Sequence, residues 1–130
     1  MRSAGEATYR TAVSRAYYGA FHVAHGFLHE LGLRPPANAN VHGFVQHYLN
    51  GSKHGDACRA ASLLSHLHAA RIRADYRLDG PQFSSQQDAM LIVEQAALVV
   101  SALNNCRSEG AWGSIRHAIA EYEQKINPRP

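Results

Sequence analysis

The feature that most constrains this chain is a long helical repeat of apolar residues with few breaks. Between about residues 5 and 31, apolar side chains recur every three or four positions, which is the period of an amphipathic helix. They are Val13, Ala16, Tyr17, Ala20, Val23, Ala24, Phe27, Leu28 and Leu31. Gly32 favours a helix end, and the prolines at 35 and 36 prevent continuation. The segment therefore predicts one long first helix.

Similar patterns, separated by turn residues, predict four further helices. A second, short helix over about 41–49 follows a turn rich in Asn, which supplies an N-cap. Asp56 is the predicted N-cap of a third helix that ends near Arg77. Ser84 and Gln87 form a capping-box pattern that opens a fourth, and Gly110 separates a short fifth helix around 115–126. The inward face of the fourth helix is predicted to carry Met90, Val93, Ala97, Val100, and Leu103 or Asn104.

These patterns predict an all-α protein, a four-helix bundle with a short additional C-terminal helix. The length of 130 residues suits a single domain over 1–130, and 45% hydrophobic residues exclude wholesale disorder. The net charge of +3 is compatible with an anionic partner without demanding one. The two cysteines lack CxxC spacing, and neither a secretory leader nor a membrane-length apolar run is visible. A cytoplasmic location away from membranes is expected.

Two short segments carry most of the residues suited to chemistry. On the first helix, Arg15, Tyr18 and His22 are three and four residues apart, so they share one face. At the end of the third helix, Arg71 and Asp75 are spaced to pair along the helix. In the same segment three arginines within seven residues adjoin a tyrosine, a combination that suits phosphate contact and base stacking.

Three features of the chain together resemble a prokaryotic subgroup of the HEPN superfamily (higher eukaryotes and prokaryotes nucleotide-binding). They are the run SRAYYGAFH, His42 at the start of the second helix, and the run RIRADY. In that subgroup the first helix carries Ser-Arg-x-Tyr-Tyr-x-x-Phe and the third ends in Arg-x-x-Ala-Asp-Tyr. The resemblance covers the whole chain in order. It implies a bundle of four or five helices that often dimerises, RNA or nucleotide as ligand, and a minimal nucleotidyltransferase as partner in toxin–antitoxin-like modules.

Nuclease members of that superfamily carry an Arg followed, after four to six residues, by a His, and this pair cuts RNA without a metal. The His moves the proton of the ribose 2′-hydroxyl or of the leaving oxygen, and the Arg stabilises charge on the phosphate. Here Tyr76 occupies the position after Arg71 where the His is expected, whereas Arg15 precedes His22 by six intervening residues. The resemblance therefore predicts Arg15 and His22 as the catalytic pair. The residues predicted to bind phosphate or support the motif are Arg71, Arg73, Asp75, Tyr76, Tyr18 and His42.

Other interpretations of these residues remain open. The chain is either a metal-independent ribonuclease of such a module or a non-catalytic nucleotide- or nucleic-acid-binding adaptor dimer. A third class is a metal-binding bundle enzyme that uses His22, His25 and His29. No Glu-x-x-His element on another helix completes such a site. Neither a metal nor a cofactor is therefore expected. The pair Arg15 and His22 also fits a polar helix face or a dimer interface.

Two further expectations concern partners. The first helix is apolar over much of its girth, which predicts a two-fold homodimer formed through that helix or its neighbours. In toxin–antitoxin relatives, the nucleotidyltransferase modifies a tyrosine near the active motif. By resemblance, Tyr76 is the expected acceptor, because Arg71 and Arg73 lie beside it in the sequence.

Overall fold

The structure is a computed structural model that describes residues 4–36, 38, 40–76 and 86–128; the side chains of residues 4–8, 74–76, 86 and 109 lie outside that description. The described residues form five helices and no strand. The helices are α1 (Ala4–Glu30), α2 (Val41–Gly51), α3 (Gly55–Tyr76), α4 (Gln86–Asn105) and α5 (Glu109–Ile126). The predicted all-α bundle with an additional C-terminal helix is confirmed.

The fifth helix is longer than the sequence predicts. It begins at Glu109 instead of near residue 115, because Gly110 lies within its first turn and does not separate it from the preceding chain. The N–H of Trp112 donates to the carbonyl oxygen of Ser108 at 2.8 Å, which closes that first turn. Glycine weakens a helix interior but is tolerated at a terminus, where the backbone groups have few intrahelical partners.

The helix ends follow the sequence in one case and depart from it in others. Gly32 has φ 91°, and the N–H of Leu33 donates to the carbonyl of Leu28 at 3.1 Å, which is the glycine-terminated end predicted for α1. Asn40 occupies the N-cap of α2, but its side chain makes no capping hydrogen bond. Asp56 lies inside α3, where its N–H donates to Nδ1 of His54 at 3.3 Å, so the predicted Asp56 cap is wrong. The predicted Ser84 cap lies outside the described residues.

The core forms where α1, α3 and α4 pack against one another, with α2 against α1 and α3. Its largest fully buried side chains include Phe27, Leu28, Leu49, Leu64, Leu67 and Leu103. Helix α5 packs on α2: a Cβ at Gly51 would lie 2.7 Å from the ring of Tyr122. The hydroxyl of Tyr48 on α2 donates to the carboxylate of Glu123 on α5. Helix α5 thereby braces α2, the helix that carries His42.

The predicted inward face of α4 is correct at Leu103, which is buried, but wrong by about one residue of rotation at Met90, Val93 and Ala97. Met90 and Val93 are 52% and 46% exposed, whereas the buried positions are Ala89, Ala96, Val99, Ala102 and Leu103. Small alanine side chains let α4 approach α1 and α3 closely, so the larger apolar residues on the opposite side stay outside. An apolar surface of α4 is therefore left exposed in the single chain.

Within the described residues, no single helix is long and apolar enough to cross a membrane. Among the described residues, the segments Gln87–Asn105 and Gly110–Ile126 together are long and apolar enough, but the two are bent by 95° relative to one another.

Candidate functional site: an aromatic and histidine cluster beside an open cleft

Aromatic rings gather where α1, α2 and α3 meet, with Tyr17 of α1 at the centre. Tyr17 is only 4% exposed, and its ring stacks with that of Phe21 one helical turn along, at a centroid distance of 5.8 Å. Its hydroxyl lies 2.8 Å from Nδ1 of His42 near the start of α2. This hydrogen bond joins α1 to α2 and satisfies the polar end of a buried ring.

The ring of His42 is stacked on the ring of His68 from α3. Their centroids are 3.7 Å apart and their planes are inclined by 22°. Tyr17 lies 5.5 Å from His68, and Phe21 lies 6.3 Å from His42, both measured between ring centroids. The two imidazoles are thus held by rings from α1, and three helices must be in place for the stack to form.

Arg71, three residues after His68 on α3, brings a cation to these rings. Its guanidinium carbon lies 5.1 Å from the ring centroid of Tyr18 and 5.9 Å from that of Tyr17, within cation–π range. Tyr18 is 41% exposed, so Arg71 links the buried part of the group to the surface. We refer to the group as the Tyr17 cluster: Tyr17, Tyr18, Phe21, His42, His68 and Arg71.

Burial and the Arg71 charge keep the cluster in one protonation state at neutral pH. Burial, followed by the effects of His68 and Arg71, lowers the pKa of His42 from 6.5 to about 4. Burial and then Arg71 also lower the pKa of His68. Burial raises the pKa of Tyr17 to about 12, although Arg71 opposes the change. At neutral pH both imidazoles are therefore neutral and the phenol keeps its proton.

Acid is expected to destabilise the fold through these imidazoles. The unfolded chain binds the His42 proton near pH 6.5 and the folded chain only near 4, so the contribution is complete above about 6.5 and is lost as the pH falls towards 4. Between about pH 7 and 5, we expect the wild type to lose about 1 kcal/mol more unfolding free energy than His42→Phe, after allowing for solvent screening of a partly exposed ring. Urea denaturation at each pH measures this. His66→Phe, at an exposed position on α3, is the control and should behave as wild type.

An open cleft of about 510 Å³ adjoins the stacked imidazoles. Its lining consists of Pro36, Asn40, His42, Gly43, Phe44, His47 and His68. We refer to it as the histidine cleft, because three of these residues are histidines. Both members of the stack reach its wall, whereas Arg71 is not one of the lining residues and acts on the imidazoles electrostatically. The cleft therefore offers imidazoles to a ligand, with a fixed positive charge nearby.

The structure brings together some of the residues singled out from the sequence. His42, Arg71 and Tyr18 meet in the Tyr17 cluster. Arg15 and His22 lie exposed on α1, and the ring of His22 contacts that of Phe21 at 6.0 Å between centroids. Neither residue lines the histidine cleft.

The end of α3 accounts for the remaining predicted residues. Arg73 is partly exposed in the last turn of that helix. Asp75 and Tyr76 are the last two residues of α3, and their side chains lie outside the described part of the structure. The predicted pairing of Arg71 with Asp75 stays a prediction.

Sequence reasoning missed His68. It lies two residues from His66, and two such positions on a helix cannot face one site. The structure keeps them apart, with His66 exposed and His68 partly buried, but His68 has its partner on another helix. The available signal was its spacing, since His68 precedes Arg71 by three residues and so shares a face with it.

The three histidines considered as metal ligands are not gathered at one point. The rings of His22 and His25 each lie 6.0 Å from the ring of Phe21 between centroids, whereas Nε2 of His29 lies 2.7 Å from a guanidinium nitrogen of Arg34. Among the described residues, no group of three or more His, Cys, Asp or Glu side chains is arranged to hold a metal ion.

The protein is thus an all-α bundle in which an Arg, paired tyrosines and stacked histidines meet at the junction of three helices. The family comparison makes the assignment specific: the HEPN domain model matches residues 1–106, and the chain belongs to this family. The match covers α1 to α4, and α5 follows it. No curated protein and no solved structure shows a significant match to the chain.

Proposed function

We propose that this HEPN-family protein binds single-stranded RNA at the Tyr17 cluster and the histidine cleft, and cuts it without a metal ion. The observation that carries the proposal is the stack of His42 and His68, which lines an open cleft close to the Arg71 charge. The neutral imidazole of His68 is in the correct form to accept the proton of a ribose 2′-hydroxyl, whereas Nδ1 of His42 already contacts the Tyr17 hydroxyl. Imidazole and guanidinium groups are also the residue types used in the family's metal-independent cleavage.

Exposed parts of the cluster suit the other components of RNA. The ring of Tyr18 is 41% exposed and offers a face on which a base stacks. The guanidinium of Arg71 packs on that ring and attracts phosphate. Tyr18 is exposed, whereas His42 and His68 line the cleft. This arrangement favours an RNA strand with one base stacked on Tyr18 and its backbone in the cleft.

Arg71→Ala is expected to weaken RNA binding by about tenfold at near-physiological salt, because one phosphate contact is lost. The slope of log affinity against log salt concentration should become less steep by about one, which corresponds to one released counterion. Fluorescence anisotropy with a short single-stranded RNA, in the presence of a chelator, measures both. Arg116→Ala removes an exposed arginine on α5 and is the matched control. Thermal unfolding must accompany the assay, because Arg71 also packs on Tyr17 and Tyr18.

The same samples distinguish the two function classes. Binding without cleavage would assign the protein to the adaptor class. Equal salt dependence in Arg71→Ala and wild type would remove Arg71 from the RNA interface. If the wild type neither binds nor cuts RNA, the proposed function fails.

The exposed face of α4 supports a homodimer as the working form of the protein. Met90, Leu91, Val93 and Leu98 are each between 46% and 56% exposed. With Tyr9 and Ala12 of α1, part of this face forms an apolar groove of about 300 Å³. Large apolar side chains exposed together on one helix are typical of an interface. We propose that the second copy packs here, since members of the family often dimerise through a symmetric contact.

The family resemblance also supports a minimal nucleotidyltransferase as a partner, with Tyr76 as the acceptor of a transferred nucleotide. Tyr76 ends α3, the helix that carries Arg71 and Arg73. A phosphate joined to that tyrosine would introduce negative charge near these two cations.

A further inference from the structure

The stack of His42 and His68 has room for one positive charge and not for two. The ring centroids are only 3.7 Å apart and the planes are nearly parallel, so two imidazolium rings would repel one another at contact distance. A neutral imidazole beside an imidazolium carries no such penalty. The pair therefore behaves as one protonation site, although it consists of two rings.

The groups around the pair explain why both imidazoles are neutral when no ligand is bound. From α1, Tyr17 bonds to His42 and Tyr18 lies against Tyr17; from α3, the positive Arg71 acts on both rings. From α2, His47 lines the same cleft. Among the described groups, the causes that shift the pKa of either ring include Arg71 and no carboxylate. Among the described residues, a proton added to the pair therefore meets the positive charge of Arg71.

We propose that the stacked histidines are a proton-coupled anion site: when an RNA phosphate enters the histidine cleft, the pair takes up one proton and only one. This inference rests on the proposed function, because it takes the RNA backbone as the anion. The proton comes from the solvent and is returned when the ligand leaves, so no other reactant is required.

A bound phosphate raises the pKa of the pair, because it places a negative charge beside the imidazoles. Burial and the Arg71 charge lower the pKa of both imidazoles in the free protein. An anion in the cleft offsets Arg71 and forms a charge-assisted hydrogen bond with an imidazolium, so protonation becomes favourable in the complex. Binding and protonation then reinforce one another reciprocally.

The hydroxyl of Tyr17 accommodates both states of His42. When Nδ1 of His42 carries no proton, the hydroxyl donates to it across the 2.8 Å contact; when Nδ1 carries a proton, the hydroxyl oxygen accepts. Because burial raises the pKa of Tyr17 to about 12, the phenol does not ionise in either state. The proton enters the stack without leaving a buried polar group unpaired.

Coupling of one proton to binding makes affinity depend on pH. RNA affinity should rise by about tenfold for each unit of acidification in the range where the complex is protonated and the free pair is not. An independent protonation of both rings would give about a hundredfold per unit. A site with no coupling would show no slope.

The test is calorimetric proton counting with 2′-O-methyl oligouridylate, which cannot be cleaved through its 2′-oxygen. Its phosphodiesters and uracils do not titrate in mildly acidic to neutral solution, so any proton uptake belongs to the protein. Titrations from mildly acidic to alkaline pH, in two buffers of different ionisation enthalpy, should give an uptake that reaches about one proton per site at its maximum and falls towards zero near pH 8. The double variant His42→Phe/His68→Phe keeps two stacked rings and should take up none. His117→Ala should match the wild type.

Three results overturn the proposal. Uptake of two protons would mean that the rings titrate independently, and RNA binding without uptake would remove the coupling while leaving the proposed function intact. Uptake that persists in the double variant would assign the proton to another group, such as His47. If the double variant does not fold, NMR titration of the imidazole signals in the wild type decides, since His42 and His68 must be the rings that respond to RNA. If RNA does not bind, sulfate is the probe, so proton coupling is tested separately from RNA recognition.

Discussion

His68→Ala is expected to reduce the rate of RNA cleavage by at least about 100-fold, because a positioned imidazole contributes about that much by proton transfer. Affinity measured near pH 8, where the pair is neutral with or without RNA, should change by less than about threefold, since the lost group acts mainly on the barrier. The assay uses a short oligouridylate with a chelator present, and its 2′-O-methyl analogue should not be cut at all. Single-turnover rates separate chemistry from binding.

His22→Ala is the informative comparison for this prediction. His22 is the catalytic histidine predicted from the sequence with Arg15, and it is exposed outside the histidine cleft. If His68 and His42 carry the chemistry, His22→Ala should cut RNA within about threefold of the wild type. A loss confined to His22→Ala and Arg15→Ala would instead support the pair on α1 and contradict the assignment to the cleft. His66→Ala, two residues from His68 and exposed, controls for the removal of a neighbouring imidazole.

The sequence predicts where the helices begin and end better than it predicts which side of each helix is buried. Periodicity and turn residues locate α1 to α4 closely, because Gly32 and the Pro-rich turn interrupt the chain where the backbone requires it. The buried face of α4 was missed because hydrophobicity alone ranks Met90 and Val93 above Ala89 and Ala96. Close helix packing depends on small side chains, and that preference appears only when the neighbouring helices are in place.

For the candidate site too, the sequence predicts individual residues better than their contacts. Tyr18, His42 and Arg71 are predicted by their motifs, and the structure brings them together. The partnership of His42 with His68 joins positions 26 residues apart on different helices, so no local spacing reveals it. The low pKa values of these imidazoles also have no sequence signal, because burial and the Arg71 charge produce them only in the folded chain.

The second large effect is expected at the exposed face of α4. Val93 is 46% exposed beside the apolar groove, and Asp88 and Glu94 already place negative charge on the same helix. Val93→Asp adds a further carboxylate that a packed interface would have to desolvate without a partner. We expect the dissociation constant of the dimer to rise by at least about 100-fold, which leaves a monomer at micromolar concentration.

Ile126→Asp provides the matched control, because Ile126 is 47% exposed on α5 and gains the same charge away from the α4 face. Light scattering coupled to size-exclusion chromatography, repeated over a range of concentrations, should give a dimer for the wild type and for Ile126→Asp and a monomer for Val93→Asp. Circular dichroism should show equal helix content in all three, since Val93 contributes little to the core of the single chain. A wild type that is monomeric at these concentrations would contradict the dimer itself. A Val93→Asp protein that stays dimeric would exclude α4 and leave the α1 surface, where the sequence predicts the contact, as the interface to be tested.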